Sequence, residues 1–126
     1  MSNFIEIKNL KKTFNISSNN QLLLFENLNL NISKNSTTSI IGPSGCGKST
    51  LLNIVGLLDS SFHGEYFFDG VLINNINNKK LNEIKNLKIG FVHQFFHLIP
   101  ELSVMENIIL PALLKKDKIS DINNEA

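Results

Sequence analysis

The sequence predicts an α/β fold, and three observations predict it. A short apolar run, Thr38-Ser39-Ile40-Ile41, leads into Gly42-Pro43-Ser44-Gly45-Cys46-Gly47-Lys48-Ser49-Thr50, and an apolar stretch from Leu51 to Leu58 follows at once. The middle run fits G-x-x-x-x-G-K-[ST], which needs a strand before it and a helix after it. Ahead of it, Leu28, Leu30 and Ile32 alternate with Asn27, Asn29 and Asn31, the pattern of a half-buried strand. Behind it, residues 65–69 and 71–73 flank Gly70 as two strands of a hairpin.

The remaining elements follow in order. Phe4, Ile5 and Ile7 open a strand, with Leu10 and a polar stretch reaching Phe14. Residues 16–21 are rich in Ser and Asn and read as a loop, and Leu22 to Phe25 form a short apolar run. Lys34-Asn35-Ser36 reads as a turn, since Asn tolerates left-handed angles, and residues 37–41 as a buried strand. Residues 59–64 are a loop. Leu81, Ile84 and Leu87 fall at helical spacing within residues 79–87, a short surface helix. Ile89, Phe91 and Val92 suggest a strand ending at His93-Gln94, and Pro100 breaks the loop that follows. Residues 103–110 read as a helix, with Ser103 as N-cap and Glu106 three residues on. Pro111 should interrupt or kink it, and residues 115–126 form a polar tail.

Composition narrows the partners. A net charge of +1 gives no electrostatic preference for nucleic acid or an anionic membrane. One cysteine excludes an internal disulfide and a Cys-based zinc site, and suits a reducing compartment. His63, His93 and His97 have no metal-ligand spacing with one another or with Cys46. The N-terminus has neither a basic start nor an apolar block, so it does not read as a secretory signal. The longest apolar stretch is too short to span a bilayer, and a cytoplasmic location is expected. All twelve basic residues are lysines, which removes any arginine finger or bidentate guanidinium clamp.

The glycine-rich run has chemistry that suits a triphosphate. A loop leaving a strand and entering a helix aims consecutive backbone N–H groups at one point, where the helix N-terminus adds partial positive charge. Lys48 brings a mobile cation to the β and γ phosphates, Ser49 offers a hydroxyl to Mg²⁺, and Thr50 reaches the α phosphate. Cys46 is either a small filler or a thiol activated by the helix end and Lys48.

These motifs stand in a recognisable order: Leu10-Lys11-Lys12-x-Phe14, the loop, Asp69-Gly70, Ile89-Gly90-Phe91-Val92-His93-Gln94, then Leu102-Ser103-Val104-x-Glu106-Asn107-Ile108. The set resembles the N-terminal half of an ABC-transporter ATP-binding subunit over essentially the whole chain, residues 1–126. Gln94-Phe95-Phe96-His97-Leu98-Ile99-Pro100 and Leu110-Pro111 are similar to the lipoprotein-releasing and macrolide-export branch. The resemblance implies a P-loop NTPase core of ABC type, an N-terminal antiparallel β subdomain and the start of a helical subdomain. It implies ATP and Mg²⁺ as ligands, with Phe14 stacking on adenine, or else serving as a core aromatic. Gln94 would contact Mg²⁺ and the attacking water and sense the γ phosphate. The segment from Phe95 to Asn107 would touch an integral-membrane permease, unless Phe95, Phe96, Leu98 and Ile99 form a local core instead. A second ATP-binding subunit would complete the site, with the protein peripheral on the cytoplasmic face of the inner membrane.

The same resemblance calls for a Leu-Ser-Gly-Gly-Gln signature loop and an apolar strand ending in Asp-Glu, and neither occurs in the sequence. Tyr66-Phe67-Phe68-Asp69 is not that acidic strand, because Gly70 follows it and it comes too early. The family catalytic Glu is therefore absent. The reading is a truncated ATP-binding domain whose whole form couples ATP hydrolysis to lipoprotein release or export, with little hydrolysis expected of this chain alone. The alternative is a degenerate, non-hydrolytic remnant that binds nucleotide or permease. An unrelated P-loop kinase or GTPase is disfavoured by the order of motifs from Phe14 to Asn107.

Overall fold

The computed structural model describes residues 3–17 and 20–113. The chain divides into two compact units, Met1–Asn77 and Asn78–Ala126. The first is an antiparallel sheet with one helix. Strand β1 (Asn3–Ser17) lies between β2 (Asn20–Ser33) and β3 (His63–Phe68), and β4 (Val71–Leu72) pairs on the far side of β3. The loop expected over residues 16–21 is largely strand, because Asn15 pairs with Gln21 and Ser17 with Asn20. Backbone hydrogen bonds extend a hairpin whatever the polarity of its tip, and the side chains here are exposed.

A bulge in β1 decides which side chains face inward. Ile5 and Ile7 are buried, and then the buried set moves to Leu10 and Lys12. The change of phase occurs at Asn9, which has φ 52, and the register with β2 slips between Ile7 and Leu10. The Asn9 N–H is held by the Asn29 side-chain oxygen at 2.9 Å. Facing the bulge is Gly64 at φ 109, where a Cβ would lie 2.6 Å from the carbonyl oxygens of both Lys8 and Asn9. Only glycine allows β3 to approach so closely.

Helix α1 (Lys48–Val55) begins inside the glycine-rich loop, earlier than the expected Leu51, and ends before the expected Leu58. The chain turns at Gly56 and Leu57, the latter at φ 60, with Leu58 N–H returning to the Asn53 carbonyl at 2.8 Å. Ile7, Leu10, Ile54 and Tyr66 are the most deeply buried side chains. The Tyr66 hydroxyl donates to the Val55 carbonyl, tying β3 to the end of α1, and burial pushes its pKa up. After β4, a 3₁₀ turn (Ile73–Asn75) places the Asn74 side chain to accept from Tyr66 N–H at 2.9 Å and donate to the Gly64 carbonyl at 3.0 Å.

Two expected strands do not form. Residues 37–41 form no strand and Ile41 is 89% exposed. Residues 89–92 likewise form none, and Val92 is 97% exposed. A parallel strand exists through its ladder, and among the described residues neither segment has a paired neighbour.

The second unit holds α2 (Asn78–Lys88) and α3 (Val104–Leu113), close to the expected helices. Ser103 and Glu106 form a reciprocal cap: Glu106 N–H reaches the Ser103 hydroxyl at 3.3 Å, and the Glu106 carboxylate accepts from Ser103 N–H at 2.8 Å. The Ser103 hydroxyl and N–H hold the exposed Glu106 carboxyl below its ordinary pKa. Pro111, expected to interrupt or kink α3, lies inside it and the helix runs on to Leu113. The polar tail lies outside the described residues. Among those described, no helix is long and apolar enough to cross a membrane.

Candidate functional site

Gly47 is the residue that shapes the loop. It caps α1 at φ 98, and a Cβ there would meet the Phe25 ring at 2.8 and 2.9 Å and Leu24 at 3.1 Å. The apolar run of β2 thus forms the wall against which the loop turns into the helix. The first helical bond runs from Leu51 N–H to the Gly47 carbonyl at 2.9 Å, so the N–H groups of Lys48, Ser49 and Thr50 have no acceptor within the helix. No side chain caps this end. It presents three donors and the positive end of the helix at one place, a physical fit to a phosphate.

Lys48 folds back over the loop. Its ammonium donates to the carbonyls of Gly42 at 3.0 Å and Pro43 at 2.6 Å, and lies 3.8 Å from the Cys46 sulfur. Cys46 is exposed, and its sulfur stands 2.8 Å from where a Cβ on Gly42 would be. The ammonium is thereby held against the glycine-rich loop.

Ser44, Gly45, Gly47, Lys48, Ser49 and Thr50 line a cleft of about 380 Å³ together with Phe14, Leu22 and Leu24. The aromatic of β1 and the phosphate loop therefore share one cavity within the first unit. Phe14 is 41% exposed, so it is not a core aromatic. The cleft is polar where the loop lines it and apolar where the strands do. That division matches a ligand with a charged tail and a flat, apolar head. For a metal, the cleft itself offers the Ser44, Ser49 and Thr50 hydroxyls, which suits Mg²⁺ carried in by phosphate oxygens better than Mg²⁺ held by the protein alone.

Sequence reading passed over Lys12. Its side chain is 3% exposed, and its ammonium bonds to Asp59 Oδ2 and to the Ser61 carbonyl, each at 2.6 Å. The same ammonium stands 4.9 Å from the centre of the Phe14 ring. Partial burial works to raise the Asp59 carboxyl, but Lys12 and the Ser61 N–H outweigh it and hold the group below its ordinary value. The two-residue spacing of Lys12 and Phe14 was the available signal.

Gln94 belongs to the second unit and is exposed, on an irregular segment rather than at a strand end. Phe95, Phe96 and Leu98 are 70%, 92% and 65% exposed. Leu98, Ile99, Pro100, Leu102, Val104, Asn107 and Ile108 line a groove of about 260 Å³. Asn107 gives that groove its shape: its side chain accepts from Ile99 N–H at 2.9 Å and donates toward the carbonyls of Ile99, Leu102 and Ser103 at 3.0 to 3.1 Å. Of the histidines, His93 stacks on Phe91 and meets His97 edge-on.

Comparison with known proteins places this geometry. Residues 25–126 match the protein family described as ABC transporter. The chain belongs to that family. It is 43% identical over 111 residues to an uncharacterized ABC transporter ATP-binding protein of Methanocaldococcus jannaschii, covering 88% of this chain and 47% of that protein. It is 43% identical over 110 residues to the lipoprotein-releasing system ATP-binding protein LolD of Syntrophus aciditrophicus, covering 87% and 49%. The macrolide export ATP-binding/permease protein MacB of Mannheimia succiniciproducens is 40% identical over 111 residues, covering 88% of this chain and 17% of its own. A solved dimeric ATP-binding cassette, in a post-hydrolysis state bound to ADP and Pi, superposes with a TM-score of 0.84 at 38% identity, covering 95% of this chain and 53% of that one. The chain spans about half the length of the ATP-binding proteins it matches. The fold is thus that of an ABC-type cassette over the part this chain spans, with the antiparallel subdomain formed.

Proposed function

We propose that this chain binds ATP with Mg²⁺ as part of an ABC-transporter ATP-binding subunit. The observation that carries the reading is the single cleft joining Phe14 to Ser44, Gly45, Gly47, Lys48, Ser49 and Thr50. Adenine stacks on Phe14, and the triphosphate lies across the N–H groups of α1 with the Lys48 ammonium. Ser49 contributes a hydroxyl toward Mg²⁺. Gln94 is assigned to Mg²⁺ and the attacking water, and the groove shaped by Asn107 to a membrane permease. The names of the LolD and MacB relatives support lipoprotein release or export as the work of the whole protein, at the cytoplasmic face of the inner membrane. A second ATP-binding subunit completes the site, as the dimeric cassette suggests. Nucleotide binding is the activity proposed for these residues.

The test is a titration of the full chain with a non-hydrolysable ATP analogue and Mg²⁺. Lys48→Ala removes the cation and should weaken binding by about ten- to a hundredfold, the scale of a lost charge-assisted contact of about 1.5–3 kcal/mol. Unchanged affinity would reject the phosphate-loop assignment.

A further inference from the structure

We propose that Lys12 is a positioning residue for nucleotide binding, a buried strut that fixes the aromatic platform at a set place relative to the phosphate loop; this rests on reading Phe14 as the base platform. Lys12 is the only buried charged residue among those described. Removing an ammonium from water is costly, and replacing a buried ion pair by apolar residues is often neutral or stabilising. Fold stability alone therefore gives a weak reason for a lysine here. Its three contacts give a better one. Asp59 and Ser61 follow α1 in the chain, and the other end of α1 is the phosphate loop. Phe14, the third contact, lies on the same strand as Lys12 and two residues beyond it.

The ammonium therefore connects the segment leaving the loop's helix to the ring that shares the loop's cleft. It lies against the Phe14 ring, whose exposed surface remains open to a flat heteroaromatic base. A ring so held loses little freedom when a base stacks on it. A lysine that merely neutralised Asp59 would influence base and phosphate equally, or neither. A strut to Phe14 influences the base alone.

Isothermal titration calorimetry reads binding without altering the Phe14 ring. The full chain is titrated with Mg-ATP and, separately, with inorganic tripolyphosphate, which has the tail but no base. Lys12→Met should weaken Mg-ATP binding about tenfold, the upper scale of a desolvated cation–π contact. It should leave tripolyphosphate within about twofold, because the donors of α1 are untouched. Lys12→Arg, which keeps the cation, should restore most of the Mg-ATP affinity. An equal loss for both ligands, or no loss for Mg-ATP, overturns the proposal. If Lys12→Met melts too low to assay, Asp59→Asn frees the ammonium and must lower the ratio of Mg-ATP affinity to tripolyphosphate affinity; an unchanged ratio again overturns it. Phe14→Ala separates the two ideas. Should it leave the ratio unchanged, the platform reading fails and takes the strut with it; should it lower the ratio while Lys12→Met does not, the strut alone fails.

Discussion

Gly47→Ala isolates two costs at one atom. The first is backbone: φ 98 belongs to a region where a Cβ crowds the following carbonyl, at about 1–2 kcal/mol. The second is steric. The new methyl would stand 2.8 and 2.9 Å from the Phe25 ring and 3.1 Å from Leu24, closer than carbon atoms rest. Overpacking costs about 1–3 kcal/mol, and the lower end applies because Phe25 is only half-buried and its ring can swing. Together the expected loss is about 2–3 kcal/mol, or a melting temperature lower by about 6–15 °C for a chain of this size. Thermal unfolding by circular dichroism reads it, beside the affinity for a Mg²⁺-bound ATP analogue, which should fall because Gly47 sets the direction of the first three N–H groups of α1. Adding Phe25→Ala to Gly47→Ala makes room for the methyl and should recover the steric part only. A melting temperature within about 2 °C of the parent would refute the reasoning. Full recovery in the double variant, measured against Phe25→Ala alone, would refute the backbone part of it.

Two further outcomes concern the first unit. Tyr66→Phe removes the donor to the Val55 carbonyl and should cost about 1–2 kcal/mol in urea unfolding, with the slope unchanged; a loss under about 0.3 kcal/mol would mean that the bond contributes nothing. The folded-state pKa of Asp59 is lowered, so its pairing with Lys12 stabilises fully above the ordinary value of 3.8 and is lost as pH falls below it through the lower folded value. Asp59→Asn should therefore unfold at lower urea than the parent at pH 6, and the gap should narrow as the pH falls below 3.8. A gap that persists unchanged would show that the ion pair is not its cause.

The parts of the site legible in the sequence are those made by local spacing. The donors of Lys48, Ser49 and Thr50 need only the glycines before them and the helix they begin. Phe14 was legible through resemblance, since one aromatic on a polar stretch carries no periodic signal. The spacing of Lys12 and Phe14 was legible but the burial of Lys12 was not, because it depends on the Asn9 bulge, which shifts the inward phase by one residue and depends on contact with Gly64 on a distant strand. Residues 37–41 show the reverse error. Their apolar run fits a strand, but a strand is a relation between segments, and local composition cannot supply the neighbour.

The placement of β1 has a consequence for how the molecule assembles. Its partner β2 follows directly, so that pairing closes between chain neighbours and can begin once about thirty residues have left the ribosome. Its partner β3 lies thirty residues beyond the end of β2, and the phosphate loop and α1 fall in the stretch between. The glycine-rich loop is synthesised while one edge of β1 is still open. It gains its fixed place only when the pairing of β1 with β3 closes that stretch into a ring, the slow, long-range event in this topology. A lesion that delays β3, such as one at Gly64, would therefore leave the loop's local sequence intact and its position undefined.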